Sequence, residues 1–227
     1  MNLSKTLVTL GAGALSLFVA SLAAASDGSL TWQSGDLQRL RINVDGEVVG
    51  STAAPGDARY DAMAGPYASA AAGAGLRGFN YYQTSGTGAS MYLGEFEFVG
   101  GTSVAGGSVT FNFYNYSGTG TAYGSLANSF TVNLSQAGAF LWTIALDPGF
   151  EIPTLGYVEM VNGEGSVGLS RWFVTQTAPI VGSSLGSAFA AQGYPSQGFA
   201  LIEGVVPAPG AIALLGMAGL ARGRRRR

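Results

Sequence analysis

The chain has 227 residues, including 36 glycines, 12 Phe, 10 Tyr and 3 Trp, and it contains neither Cys nor His. This composition is typical of a β-rich, turn-rich domain, and it excludes disulfides, thiolate metal sites and catalysis by Cys or His. The net charge of −2 conceals an acidic body, because the stretch from Asp27 to Glu203 holds all 13 acidic residues but only 5 arginines, a balance of −8 that argues against a nucleic-acid partner.

The first 25 residues have the order of a secretory signal peptide. Lys5 supplies one positive charge, an apolar stretch runs from Leu7 to Leu22, and small residues precede Ser26. We therefore expect export through the general secretion machinery and cleavage by signal peptidase after Ala25. A retained membrane anchor is the alternative for this segment.

The early body, from Leu30 to about residue 83, gives two signals. The segment around Asp45-Gly46 predicts two strands joined by a turn. The Ala/Gly-rich segment 59–82 is interpreted as a loop or a short covering helix.

Strong period-two alternation follows and predicts about six short strands. "LGEFEFVGG" alternates Glu with Phe and is expected to stop at Gly100-Gly101, and "SVTFNFYNY" separates Val109, Phe111 and Phe113 from Asn112, Tyr114 and Tyr116. "SFTVNLS", "AFLWTIALDPG" with a turn at 147–149, "GYVEMV", "SVGLSRWFVTQT" and a last strand "GFALIEG" complete the set.

These strands predict an all-β domain over residues 26–205, an antiparallel β-sandwich of jelly-roll type. Turn residues such as Asp147-Pro148-Gly149 and Asn162-Gly163 separate the strands. No internal repeat is convincing, so one domain is expected.

The segment 206–227 combines two prolines, an apolar run and an arginine cluster. The apolar run, 211–221, has 11 residues, and as a helix it would cover roughly 17 Å, less than the ~30 Å hydrocarbon core. It is too short for a lasting span but sufficient as a temporary stop, because the arginines resist translocation. The stop residues are Arg222, Arg224, Arg225, Arg226 and Arg227.

This tail resembles the PEP-CTERM sorting signal of Gram-negative bacteria. The motif is Val206, Pro207, Ala208, Pro209 and Gly210, with Ala208 standing where the family usually has Glu. The resemblance implies a short transmembrane sorting helix, recognition by a membrane-embedded exosortase, a membrane-tethered intermediate, and then the cell surface or the extracellular matrix. An ordinary short tail anchor is the alternative.

The body offers little for catalysis, so no enzyme activity and no cofactor are expected. Without His and Cys, a carboxylate pair is the remaining route to hydrolysis. Glu95 and Glu97 share a strand face, but they are interpreted as a solvated face, and the acids Asp147, Glu151, Glu159 and Glu164 as scattered near turns. Asn43, Asp45 and Glu47 offer oxygen ligands for calcium, although a hairpin turn explains them equally well, so no metal is assigned.

Binding of extracellular polysaccharide is the other function that the residues allow. Exposed aromatic rings stack on sugars, and Tyr114 and Tyr116, together with Asn112, lie on the polar face of their predicted strand. Trp142 shares a face with Phe140 and Ile144 and is expected in the core. The main expectation is an exported, non-enzymatic surface or matrix protein; the alternative is a carbohydrate-binding module of that matrix.

Overall fold

A computed structural model describes residues 31–50, 56–71, 78–103, 105–118, 123–163 and 171–205. The predicted signal peptide (1–25), the sorting motif (206–210), the apolar run (211–221) and the terminal arginines lie outside these residues. Within the described part of the chain, no helix is long and apolar enough to cross a membrane.

The described residues form an all-β structure of two sheets. The large sheet contains β1 (Thr31–Trp32), β2 (Gln38–Asn43), β3 (Ala58–Asp61), β4 (Tyr67–Ala71), β6 (Ser90–Thr102), β9 (Gly138–Pro153), β11 (Arg171–Thr175), β13 (Ser196–Gln197) and β14 (Phe199–Glu203). The small sheet contains β5 (Gly78–Gln83), β7 (Gly107–Tyr116), β8 (Tyr123–Leu134), β10 (Leu155–Asn162) and β12 (Ser183–Ser187). Short 3-10 turns occupy Ser34–Asp36 and Ala190–Gln192.

Strand β6 organises the large sheet. It pairs with β9 along one edge. Along the other edge it pairs first with β14, from Leu93 to Phe98, and then with β11, at Gly100 and Gly101. The small sheet has the order β12-β5-β10-β7-β8, entirely antiparallel. The large sheet is mixed, because β2 joins β9 in parallel register, so the expectation of purely antiparallel pairing is wrong there.

The two sheets pack face to face through aromatic rings. The Phe96 ring of β6 lies 4.5 Å from the Phe111 ring of β7, and both side chains are fully buried. Trp142 is also fully buried, which confirms its predicted place in the core. The alternation predicted for β6, β7, β8 and β9 is therefore confirmed, and with it the sandwich arrangement.

Two sequence predictions for the early body are wrong. The described residues of segment 59–82 form no helix and belong mainly to β3, β4 and β5, with a connection at 62–66, because pairing within a sheet overrides the weak strand propensity of Ala and Gly. Strand β2 precedes the turn at Asp45-Gly46 as expected, but the described residues after the turn, up to residue 50, make a single bridge between Val48 and Ile42 and no second strand.

The predicted turn at 147–149 lies inside the long strand β9. Between Leu93 and Glu95 strand β6 advances two residues, while its partner advances five, from Ala145 to Phe150. The three additional residues form a bulge, so the Asp-Pro-Gly sequence bends the strand without ending it. The segment 178–205, expected to hold one strand, holds β14 as predicted and also β12 and β13.

Gly100 and Gly101 do not end β6, which continues to Thr102. Instead they allow both neighbouring strands to approach closely. A Cβ atom at Gly101 would lie 2.2 Å from the carbonyl oxygen of Gly138 in β9, and one at Gly100 would lie 2.4 Å from that of Arg171 in β11. Glycine is therefore required at these two positions, because β9 and β11 lie too close to β6 there to leave room for a side chain.

We expect Gly101→Ala to destabilise the protein by ~1–3 kcal/mol, because the new methyl group must displace backbone rather than a flexible side chain. Chemical denaturation of the two proteins measures the loss. Gly35→Ala is the matched control, since a Cβ there meets nothing within 4 Å. Equal stabilities of the Gly101 and Gly35 variants would contradict this packing role.

Candidate functional site

The outer face of the small sheet carries a continuous cluster of aromatic rings. Alternation in β7 puts Phe111 and Phe113 into the core and leaves Tyr114 and Tyr116 on the outside. Strand pairing then brings rings from four strands together. We call this cluster the aromatic patch; its members are Phe79, Tyr81, Tyr114, Tyr116, Tyr123 and Tyr157.

Cross-strand register builds the centre of the patch. Tyr157 of β10 lies directly opposite Tyr81 on one side and Tyr114 on the other. The ring centroids are 4.8 Å apart for Tyr81–Tyr157 and 5.7 Å apart for Tyr114–Tyr157, both edge to face. Such geometry is the favoured one for aromatic pairs, so the rings hold one another in fixed orientations.

Two tyrosines form the exposed top of the patch. Tyr116 and Tyr123, paired across β7 and β8, are 37% and 40% exposed, whereas Tyr81 and Tyr157 are only 6% and 3% exposed. Tyr123 stacks on Tyr157 at 5.0 Å, and Tyr116 meets Tyr81 edge-on at 6.2 Å. The upper rings therefore cover the lower ones and present their own surfaces to solvent.

A buried carboxylate lies beside the rings. Glu159 of β10 is 1% exposed, although it points to the same outer face, opposite Phe79 and Asn112. The Tyr114 hydroxyl donates to its Oε2 at 3.1 Å and the Asn112 amide at 3.4 Å. The interpretation of Glu159 as a residue near a turn is wrong, because it lies within a central strand.

The tyrosine pKa values reflect this crowding. Burial, followed by the Glu159 carboxylate and the neighbouring tyrosines, raises the pKa of Tyr157. Burial also raises the pKa of Tyr81, with smaller contributions from Tyr116 and Tyr123. Both phenols therefore remain uncharged well above neutral pH.

The residues named from sequence are only partly brought together. Tyr114, Tyr116 and Asn112 do share one surface, whereas two further aromatic side chains, Tyr82 and Trp172, lie in the core. Sequence reasoning missed Phe79, Tyr123 and Tyr157. The alternation in "GYVEM" would have placed Tyr157 and Glu159 on one face, but nothing local specifies that β10 lies between β5 and β7.

The carboxylate pair considered for hydrolysis lies on the other sheet. Glu95 and Glu97 are on the outer face of β6, where Arg41 binds Glu95 and Arg39 binds Glu97. Thr143 also donates to Glu97 at 2.8 Å. Their side chains are only 15% and 12% exposed, so this face is a ladder of ion pairs and the expectation of a freely solvated face is wrong.

Asn43, Asp45 and Glu47 form a hydrogen-bonded turn. The Asn43 Oδ1 accepts the backbone N–H groups of Asp45 and Glu47, at 3.1 and 2.9 Å, and its amide donates to the Glu47 carboxylate at 3.0 Å. The Asn43 oxygen considered as a calcium ligand thus serves the turn. Across the described ranges, no group of three or more acidic residues is arranged to hold a metal ion.

A small cleft of about 290 Å³ lies at the edge where β14 ends. Hydroxyl groups from Thr84, Ser85 and Thr154 line it, together with the ion pair between Arg59 and Glu203. Both charges of that pair are already satisfied by each other, so the aromatic patch is the stronger candidate for a binding site.

Comparison with protein-family models, with curated proteins and with solved structures gives no match for this chain. The candidate site is therefore defined by its own geometry alone.

We expect the free energy of unfolding to fall as the pH rises above 10. A phenol whose pKa is raised in the folded protein stays protonated there while the unfolded chain ionises, so its stabilisation is complete below pH 10 and is lost above it. Each such phenol lowers the free energy of unfolding by at most about 1.4 kcal/mol for each pH unit of increase in this range.

Tyr157→Phe tests the contribution of one phenol, because it removes the ionisation but keeps the ring. Denaturation at pH 8 and at a series of pH values above 10 should give similar stabilities at pH 8 and a shallower decline for the variant. Parallel curves for the two proteins would contradict the assignment.

Proposed function

We propose that this chain is an exported, non-enzymatic surface or extracellular-matrix protein that an exosortase-type enzyme sorts through residues 206–227. The observation that carries this proposal is the succession of Val206–Gly210, a short apolar run and terminal arginines. The apolar stretch is too short to remain in a bilayer, and the arginines beside it do not cross the membrane. These are the properties of a transient sorting signal that is removed by cleavage.

The position of the last described strand agrees with processing at the motif. Strand β14 ends at Glu203, and Val205 is 91% exposed. Cleavage at 207–209 would therefore remove no residue of any described strand. The protein would leave the membrane with its β-domain intact.

A second function, binding of carbohydrate in the extracellular matrix, is favoured by the aromatic patch. Six contacting rings on the outside of a sheet are not needed to fill the core. Tyrosine rings offer flat apolar faces for the C–H groups of sugars, and their hydroxyls exchange hydrogen bonds with sugar hydroxyls. We propose that Tyr116 and Tyr123 supply the contact surface, with Tyr114 and Asn112 beside them.

For sorting, we expect the mature protein in the native bacterium to begin near Ser26 and to end near Pro207–Pro209. Mass spectrometry of the surface or matrix fraction measures both ends. Pro207→Ala/Pro209→Ala should leave the protein unprocessed in the membrane fraction. Val205→Ala, an exposed neighbour of the motif, is the matched control and should be processed normally; mature surface protein that retains Arg227 would contradict the proposal.

For carbohydrate binding, Tyr123→Ala should weaken affinity for a matrix polysaccharide by about tenfold or more, equivalent to about 1.4 kcal/mol. Tyr123→Phe should retain affinity within about threefold, because it keeps the stacking surface. Affinity electrophoresis of the secreted, processed protein measures the shift. Unchanged affinity of the alanine variant would exclude this ring from the site.

A further inference from the structure

The two sheets differ sharply in charge. All four arginines among the described residues belong to the large sheet: Arg39, Arg41, Arg59 and Arg171. The five strands of the small sheet contain no Lys or Arg, and their single charged residue is Glu159. The strands that present the aromatic patch therefore provide no cation for an anionic ligand.

The acid beside the patch is held by one ring of the patch, Tyr114, and by the neighbouring Asn112. The Tyr114 hydroxyl and the Asn112 amide both donate to the Glu159 carboxylate, and this carboxylate contributes to the raised pKa of Tyr157. Among the described residues, a ligand carboxylate, sulfate or phosphate brought to the rings would find no cationic partner in the small sheet to offset its lost hydration. A neutral hydroxylated ligand carries no such cost.

The shape of the patch indicates how such a ligand lies. Its rings come from four adjacent strands, β5, β10, β7 and β8, but Tyr81 and Tyr157 are buried, so Tyr116 and Tyr123, paired across β7 and β8, supply most of the surface open to a ligand. These exposed rings cap the buried ones and leave a surface instead of a pocket. An open surface of two neighbouring rings fits a segment within a sugar chain better than a site that must enclose a single sugar or a chain end.

We propose that the aromatic patch binds internal segments of neutral polysaccharide and discriminates against uronic-acid, sulfated or phosphorylated chains. This inference rests on the proposed carbohydrate-binding function and names its ligand class. Tyr116 and Tyr123 stack on the sugar faces, and selectivity comes from the absence of cations in the small sheet together with the acid at Glu159.

Leu126 provides a way to alter the charge of the surface without touching a ring. It lies opposite Tyr114 in the β7–β8 ladder and is 53% exposed. Leu126→Lys adds a cation at the margin of the patch, while Leu126→Gln is the matched uncharged control. The pair separates the effect of charge from the loss of the leucine side chain.

The test is affinity electrophoresis of the secreted, processed protein in gels containing neutral polysaccharides (glucomannan, xyloglucan, mixed-linkage β-glucan) or anionic ones (alginate, polygalacturonate). We expect at least one neutral polymer to retard the wild type at both 20 and 500 mM salt and the anionic polymers to leave it unretarded. Tyr116→Ala/Tyr123→Ala should abolish retardation. Leu126→Lys, but not Leu126→Gln, should gain retardation by an anionic polymer at low salt.

Three outcomes would overturn the inference, and they are distinguishable. Retardation of the wild type by anionic polymers, lost in the tyrosine variant, would leave carbohydrate binding in place but refute the ligand class. No retardation by any polymer would refute both. A concentration-dependent dimer in light scattering, abolished by Tyr116→Ala/Tyr123→Ala, would identify a second copy of the chain as the occupant of the patch. Near-ultraviolet circular dichroism confirms that each variant remains folded.

Discussion

The packing of Phe96 against Phe111 is the contact on which the rest of the structure depends. These rings join the central strand of the large sheet to β7 of the small sheet, and Phe98, Phe113, Phe130 and Trp172 surround them. Burial of these side chains supplies the main driving force that holds the two layers together. Because side chains alternate along a strand, the same contact also decides which residues face outward.

The aromatic patch is thus a consequence of the core. With Phe111 and Phe113 committed to the interior, Tyr114 and Tyr116 have to lie on the opposite face. In β10, fully buried Val158 and Met160 likewise leave Tyr157 and Glu159 outside. The two faces of the small sheet are both aromatic, but the inner one carries mostly Phe and the outer one mostly Tyr, whose hydroxyl groups tolerate water.

Sequence patterns predicted what is local. Alternation identified the inward and outward residues of β6, β7, β8 and β9, because one buried face imposes a period of two. The same patterns placed Tyr114 and Tyr116 on a common surface. What depends on pairing between distant segments was not accessible: β5 and β10 are adjacent in space but more than 70 residues apart.

The errors have the same physical origin. Gly100-Gly101 and Asp147-Pro148-Gly149 are turn sequences when judged locally, yet both lie within strands. The glycine pair is required where β9 and β11 approach β6 from either side, and the Asp-Pro-Gly bulge occurs opposite Gly94. Contacts with neighbouring strands determine the strand conformation of these segments, against their local preference for turns. The same holds for the Ala/Gly-rich segment that forms β4.

The order of the strands links the fold to the proposed processing of the tail. Strand β14 is the last along the described chain, but in space it lies between β6 and β3, and it supplies Phe199 and Leu201 to the core. A cut before β14 would remove a central strand and open the interface between the sheets. A cut after Val205 removes no residue of a described strand and no buried side chain of the core. The interval between a central strand and the apolar run is therefore the place where a processing enzyme can separate domain from tail without unfolding the domain, and the Pro-Ala-Pro motif occupies that interval.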